Sequence, residues 1–152
     1  MAIEVRLKRL SHFDAELPLP SYETLWAAGA DIRACLGPGE EMVIKPGERV
    51  LIPTGLAMEI PQGYEIQVRP RSGLSLKTGL LIVNSPGTID SDYRGELKVI
   101  MGNLGQNDEI IKHGDRVAQL LVAPVVQAKF EVVDELTETK RGAGGFGSTG
   151  VE

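Results

Sequence analysis

Fourteen residues, Asn84 to Leu97 (N-S-P-G-T-I-D-S-D-Y-R-G-E-L), hold the densest set of reactive side chains in the sequence. Asp90 and Asp92 flank Ser91, and Tyr93 follows directly. A carboxylate within hydrogen-bond reach of a water can orient and deprotonate it, which is the task of a general base in hydrolysis. Asn84 both donates and accepts, so it can read the edge of a polar ring. The competing reading is local: Asp and Ser in turns commonly cap backbone amides. An apolar run, Gly79 to Val83, enters the segment, and the strand-like Glu96 to Met101 leaves it. The whole reads as a β-hairpin turned at Pro86-Gly87, with the carboxylates at its tip.

Four further polar or glycine-rich interruptions separate apolar runs: Ala28 to Arg33, Arg69 to Ser75, Gly114 to Leu120 and Arg141 to Gly150. Arg71-Ser72-Gly73 stands where a strand gives way to a short helix, so Ser72 is either a simple N-cap or part of an anion site at free N–H groups. Gln119 interrupts an apolar strand and needs a partner if buried. Arg116 has two readings, an ion pair with Asp115 or a phosphate ligand. In the tail, Arg141 offers a fork of donors, Ser148 and Thr149 add hydroxyls, and the glycines leave backbone N–H groups open to an anion. Phe146, the single aromatic there, has no core to join; on a mobile arm, such a ring can close over a flat base.

The elements that must position these groups follow from composition. The chain has 152 residues, which is one domain. Aromatic residues are 5%, so Val, Ile, Leu and Ala must build the core, and 18 Gly with 9 Pro favour many short strands. One cysteine excludes an intrachain disulfide, and two histidines make no metal-ligand cluster. A formal net charge of −5 argues against non-specific nucleic-acid binding but not against a nucleotide held by a few arginines. The N-terminus alternates apolar and charged residues, and no apolar run is long enough to span a bilayer as a helix, so a cytoplasmic protein is expected.

Turn signals recur about every ten residues, the rhythm of a sandwich, jelly roll or barrel. Strands are expected from Ile3, at Ala30–Cys35, Glu41–Ile44, Arg49–Ile52, Leu56–Ile60 and Tyr64–Val68. Others follow around Ile110-Ile111, over Arg116–Val125 and, last, over Lys129–Val133. Ser72–Lys77 is the one helix candidate. From about Glu135 the apolar pattern ends and a flexible arm is expected.

Taken together, the five segments, in this order and spacing, resemble the homotrimeric dUTP pyrophosphatase (dUTPase) family from about residue 20 to the end. The resemblance implies an all-β, distorted jelly-roll or β-barrel-like subunit over residues 1–134, and an arm, 135–152, that closes over an active site. It implies hydrolysis of dUTP to dUMP and pyrophosphate by water attack on the α-phosphorus, which keeps uracil out of DNA and supplies dUMP for thymidylate synthesis. Asp90 would be the general base, Asn84 and Ile89 would contact the nucleoside, and the Tyr93 ring would leave no space for a 2′-hydroxyl. Ser72, the Gly73 amide and Arg71 would hold the α/β phosphate region, and Gln119 the α-phosphate. Asp31 would hold water on a Mg²⁺ ion that bridges the phosphates. Arg141, Gly147, Ser148 and Thr149 would reach the γ-phosphate while Phe146 covers uracil. Each site of the implied homotrimer would take its hairpin from one chain, Asp31, Ser72 and Gln119 from a second, and its arm from a third. Position 30 is Ala, where the family more often has a larger residue. Two alternatives are a dCTP deaminase-like enzyme, which would release ammonia, and a dUTP-binding sensor, which would show no turnover.

Overall fold

A computed structural model of the chain describes residues 3–146. In chain order, the strands before the helix are β1 (Arg6–Arg9), β2 (Ala30–Arg33), β3 (Glu41–Ile44), β4 (Arg49–Glu59) and β5 (Tyr64–Arg69). After the helix α1 (Ser72–Lys77) come β6 (Leu80–Ile82), β7 (Gly87–Ile89), β8 (Glu96–Asn103), β9 (Glu109–Lys112) and β10 (Arg116–Pro124). One antiparallel sheet has the order β1-β4-β8-β6, a second the order β2-β10-β5-β7, and β3 pairs with β9 as a separate ribbon. Inward residues of all three, among them Ile52, Leu97 and Met101, Ile32, Val68 and Val117, and Ile44, form one buried cluster. This is the all-β, jelly-roll-like arrangement that the family resemblance implies and the turn rhythm allows, with a core built from aliphatic residues and two methionines.

The expected hairpin is more elaborate. Its flanking runs do pair, with Leu80 opposite Asn103 and Ile82 opposite Met101. Between them, however, the chain crosses to the other sheet, where β7 pairs with β5, before it returns as β8. Pro86-Gly87 therefore opens β7 and does not turn a hairpin. Gly87 sits opposite Val68, and a Cβ there would lie 3.3 Å from the Val68 Cβ and 3.1 Å from Asn84 Nδ2. Its smallness lets strand and turn approach.

Three other expectations are revised. Arg49–Ile52 and Leu56–Ile60 are one strand, β4, in which Thr54-Gly55-Leu56 form a bulge between the Pro53–Lys98 and Ala57–Glu96 pairs. The opening strand starts at Arg6 and, as the edge of its sheet, has all four residues exposed. Lys129–Val133 is not a strand: the chain finds no sheet partner there, and Phe130 and Val132 stand bare. No helix among the described residues is long and apolar enough to cross a membrane.

Candidate active site

Three polar residues line up across the second sheet. Gln119 on β10 is registered with Asp31 on β2 and with Arg69 on β5, so their side chains share one face. Their neighbours Ile32, Val68 and Leu120 turn into the core. Arg71 Nε donates to Asp31 Oδ1 at 3.0 Å, and Arg116 Nη1 donates to Asp31 Oδ2 at 3.1 Å. The Asp31 side chain keeps 11% of its exposure, so one carboxylate clamps two guanidinium groups. Gln119 Nε2 donates to the Pro70 carbonyl at 2.9 Å, which answers its need for a partner. Gly29 makes room for it, since a Cβ there would come within 2.5 Å of Gln119 Oε1.

Arg116 is thus paired, but not with Asp115. Asp115 Oδ2 accepts the Lys112 amide within its own turn, while Arg116 divides its charge between Asp31 and Glu23, the latter at 3.5 Å. Glu23 is a contact that no sequence signal marked. Ser72 is not an N-cap either: that position belongs to Arg71, with ψ 130°, and no side chain caps the helix. Ser72 is the first helical residue, and its exposed hydroxyl stands beside the Ser72 and Gly73 amides, which have no partner within a helix at this position.

The other reactive group lies elsewhere. Asp90 follows β7, and its carbonyl accepts the Tyr93 amide at 3.2 Å, which closes a turn that leaves the Asp90 side chain exposed. The Tyr93 hydroxyl donates to the Glu96 carbonyl at 3.0 Å, and the phenol lies so close over Gly95 that a Cβ would collide with it. Asn84 is exposed beside Gly87, and Ile89 is half-buried opposite Ile66. Asp90 to Asp92 border an open cleft of about 1330 Å³ that also takes in Glu59, Gln62 and Glu65. The Asp31 cluster is no part of its wall.

Strand register explains this separation. Ile89 pairs with Ile66, and Asp90 continues past it in one direction while Arg69, Arg71 and Ser72 lie in the other. About 13 Å of ladder lies between Asp90 and Arg69. One chain therefore assembles Asp31, Arg71, Ser72, Arg116 and Gln119 at one place, and Asp90 and Tyr93 at another. In the tail, Arg141 Nε donates to the Gly144 carbonyl at 2.7 Å, and Phe146 is fully exposed with φ 50°. Neither joins the two clusters, and Gly147, Ser148 and Thr149 lie outside the described residues.

A family model described as dUTPase matches residues 15–150. The chain belongs to the dUTPase family. It is 60% identical over 148 residues to a deoxyuridine 5′-triphosphate nucleotidohydrolase of Roseobacter denitrificans, covering 97% of each chain. The enzyme of that name from Desulfotalea psychrophila is 62% identical over 135 residues, 89% of each. Among solved structures, a mutant dUTPase of Staphylococcus bacteriophage 80alpha with dUpNHpp superposes with a TM-score of 0.85 at 28% identity, covering 97% of this chain and 99% of that one. A mutant dUTPase from phage phi11 of S. aureus, which has a structural Mg(II) ion, gives 0.75 at 26% identity over 87% and 97%.

For a dUTPase-family chain, the fit of a magnesium ion can be judged from the donors present. Among the described residues, no three His, Cys, Asp or Glu side chains converge as a metal cage. Asp31 has one arginine on each oxygen, which leaves lone pairs for a water but not the open carboxylates that direct coordination needs. Such a donor set fits Mg²⁺ carried on a substrate's phosphates, because Mg²⁺ keeps several waters and borrows phosphate oxygens. The two histidines are otherwise engaged, His12 with Glu96 and His113 with Asp14 and the Leu36 and Gly37 amides.

Proposed function

We propose that this chain hydrolyses dUTP to dUMP and pyrophosphate, with Asp90 as the general base that directs water at the α-phosphorus. The observation that carries this reading is the contrast between two aspartates. Asp31 is neutralised by two guanidinium groups, while the Asp90 carboxylate stands exposed and forms no hydrogen bond among the described residues. A base needs a free lone pair; a clamp does not. Ser72, the Gly73 amide, Arg71 and Gln119 would take phosphate oxygens, and Asp31 would hold a water on Mg²⁺. When bound, that ion supplies charge neutralisation along the phosphates. Asn84, Ile89 and Tyr93 would receive the deoxyuridine, with the Tyr93 ring where a ribose 2′-hydroxyl would need space.

The 13 Å or so of ladder between Asp90 and Arg69 supports a site shared between subunits of a homotrimer. So do the bare apolar residues beyond β10: Val126, Phe130, Val132 and Leu136 are each at least 87% exposed, an arrangement that asks for cover. Residues 135–152 would then be the arm that closes over a neighbour's site, with Arg141, Ser148 and Thr149 on the γ-phosphate and Phe146 on the base. The product roles are those of the family: less uracil in DNA and more dUMP for thymidylate synthesis, in the cytoplasm. The test is turnover of each deoxynucleoside triphosphate with Mg²⁺, with pyrophosphate and ammonia both measured. Pyrophosphate from dUTP is expected. Ammonia release, or binding of dUTP with no turnover, would overturn the assignment.

A further inference from the structure

Glu96 does more than begin a strand. Its side chain is only 13% exposed, and Oε1 takes both the Gly55 amide and His12 Nε2, each at 2.8 Å. Lys98 Nζ lies 3.4 Å from Oε2. The Gly55 amide is available because of the β4 bulge, where Gly55 has φ +68°, and a bulge of this kind re-aims backbone groups. Leu10 in turn donates to the Gly55 carbonyl at 2.9 Å, so the segment that bears His12 is tied to the same bulge. The Glu96 main-chain carbonyl then accepts the Tyr93 hydroxyl. The phenol therefore rests on a residue fixed at its side chain by two other parts of the chain.

We propose that Glu96, braced by His12 and the Gly55 amide, is a positioning residue for Tyr93 and thereby sets how strongly the site prefers deoxyribose over ribose. This rests on the reading that Tyr93 lies against the sugar. A carbonyl that drifts gives the phenol no fixed acceptor, and the ring can then yield to a 2′-hydroxyl. Groups that contribute only to folding would alter stability and leave the sugar preference alone.

The experiment compares kcat/KM for dUTP and UTP, together with the thermal midpoint, across four variants. Tyr93→Ala tests the underlying reading; if it leaves the dUTP/UTP ratio unchanged, Tyr93 does not read the sugar and this proposal falls with it. With Tyr93→Ala narrowing the ratio, Glu96→Ala is expected to narrow it about tenfold, while Glu96→Gln, which still offers an oxygen to the Gly55 amide, restores most of the preference. His12→Ala, at a half-exposed position, is expected to narrow it about two- to threefold. A lowered midpoint with an unchanged ratio in both Glu96→Ala and His12→Ala would overturn the proposal. Should Glu96→Ala not fold, His12→Ala decides alone.

Discussion

At the scale of single residues, two aspartates of the same chemistry are separated by their surroundings. Asp90→Asn keeps the shape of an exposed side chain but removes the proposed base, so turnover of dUTP should fall by roughly 10² to 10⁴ while nucleotide affinity and the thermal midpoint stay near wild type. Asp31→Asn should do the opposite to the fold. It leaves Arg71 and Arg116 facing each other without the charge that holds them, a loss of about 1–3 kcal/mol by denaturant titration. An Asp90→Asn variant with near wild-type turnover would remove Asp90 from the mechanism, and a fully stable Asp31→Asn would mean that the clamp is unimportant to the fold.

Elements carry the next level of order. The bulge in β4 and the start of β8 meet at Glu96, whose burial pushes its pKa up, while the His12 hydrogen bond, the Gly55 amide and the charges of His12 and Lys98 together pull it below the ordinary 4.5. A carboxylate with a depressed folded-state value contributes stability that is complete above its unfolded value and is lost as pH falls through the folded one. Urea midpoints measured downwards from pH 6 should therefore decline once pH drops below about 4.5. Glu96→Gln, which cannot titrate, should show a shallower decline over that window. Parallel profiles for the two proteins would exclude Glu96 from the acid response.

For the whole molecule, the separation between the Asp31 cluster and the Asp90 turn, together with the proposed sharing of sites between subunits, makes a prediction about assembly. A chain ending at Thr139 loses Arg141, Phe146, Ser148 and Thr149 but no strand among the described residues, so it should fold while losing most activity. Refolded with an equal amount of Asp90→Asn chain, random assembly would join an intact Asp90 to an intact arm in about a quarter of the sites. Activity should then reappear from two nearly inactive parents. Activity that stays at the parental level, with mixed trimers verified by mass, would rule out sites in which hairpin and arm come from different chains.

Much of this was legible in the order of residues. Gly and Pro punctuate the chain so often that β3 and α1 fall within the bounds they set, and the polar interruptions mark where the reactive groups gather. Local chemistry is enough for that, because turns and short strands answer to neighbours in sequence. The rest depends on partners far along the chain. Asp31 meets arginines 40 and 85 residues away, and Glu96 meets a histidine 84 residues away, so neither the clamp nor the Tyr93 support has a local signature. The same reason governs the corrected elements. A Pro-Thr-Gly sequence looks like a break, yet it becomes a bulge within β4 because β8 supplies the pairing on either side. Alternating Lys129 to Val133 looks like a strand, yet it remains unpaired because a strand needs a sheet edge, and which edges are free is settled only when the sheets have formed.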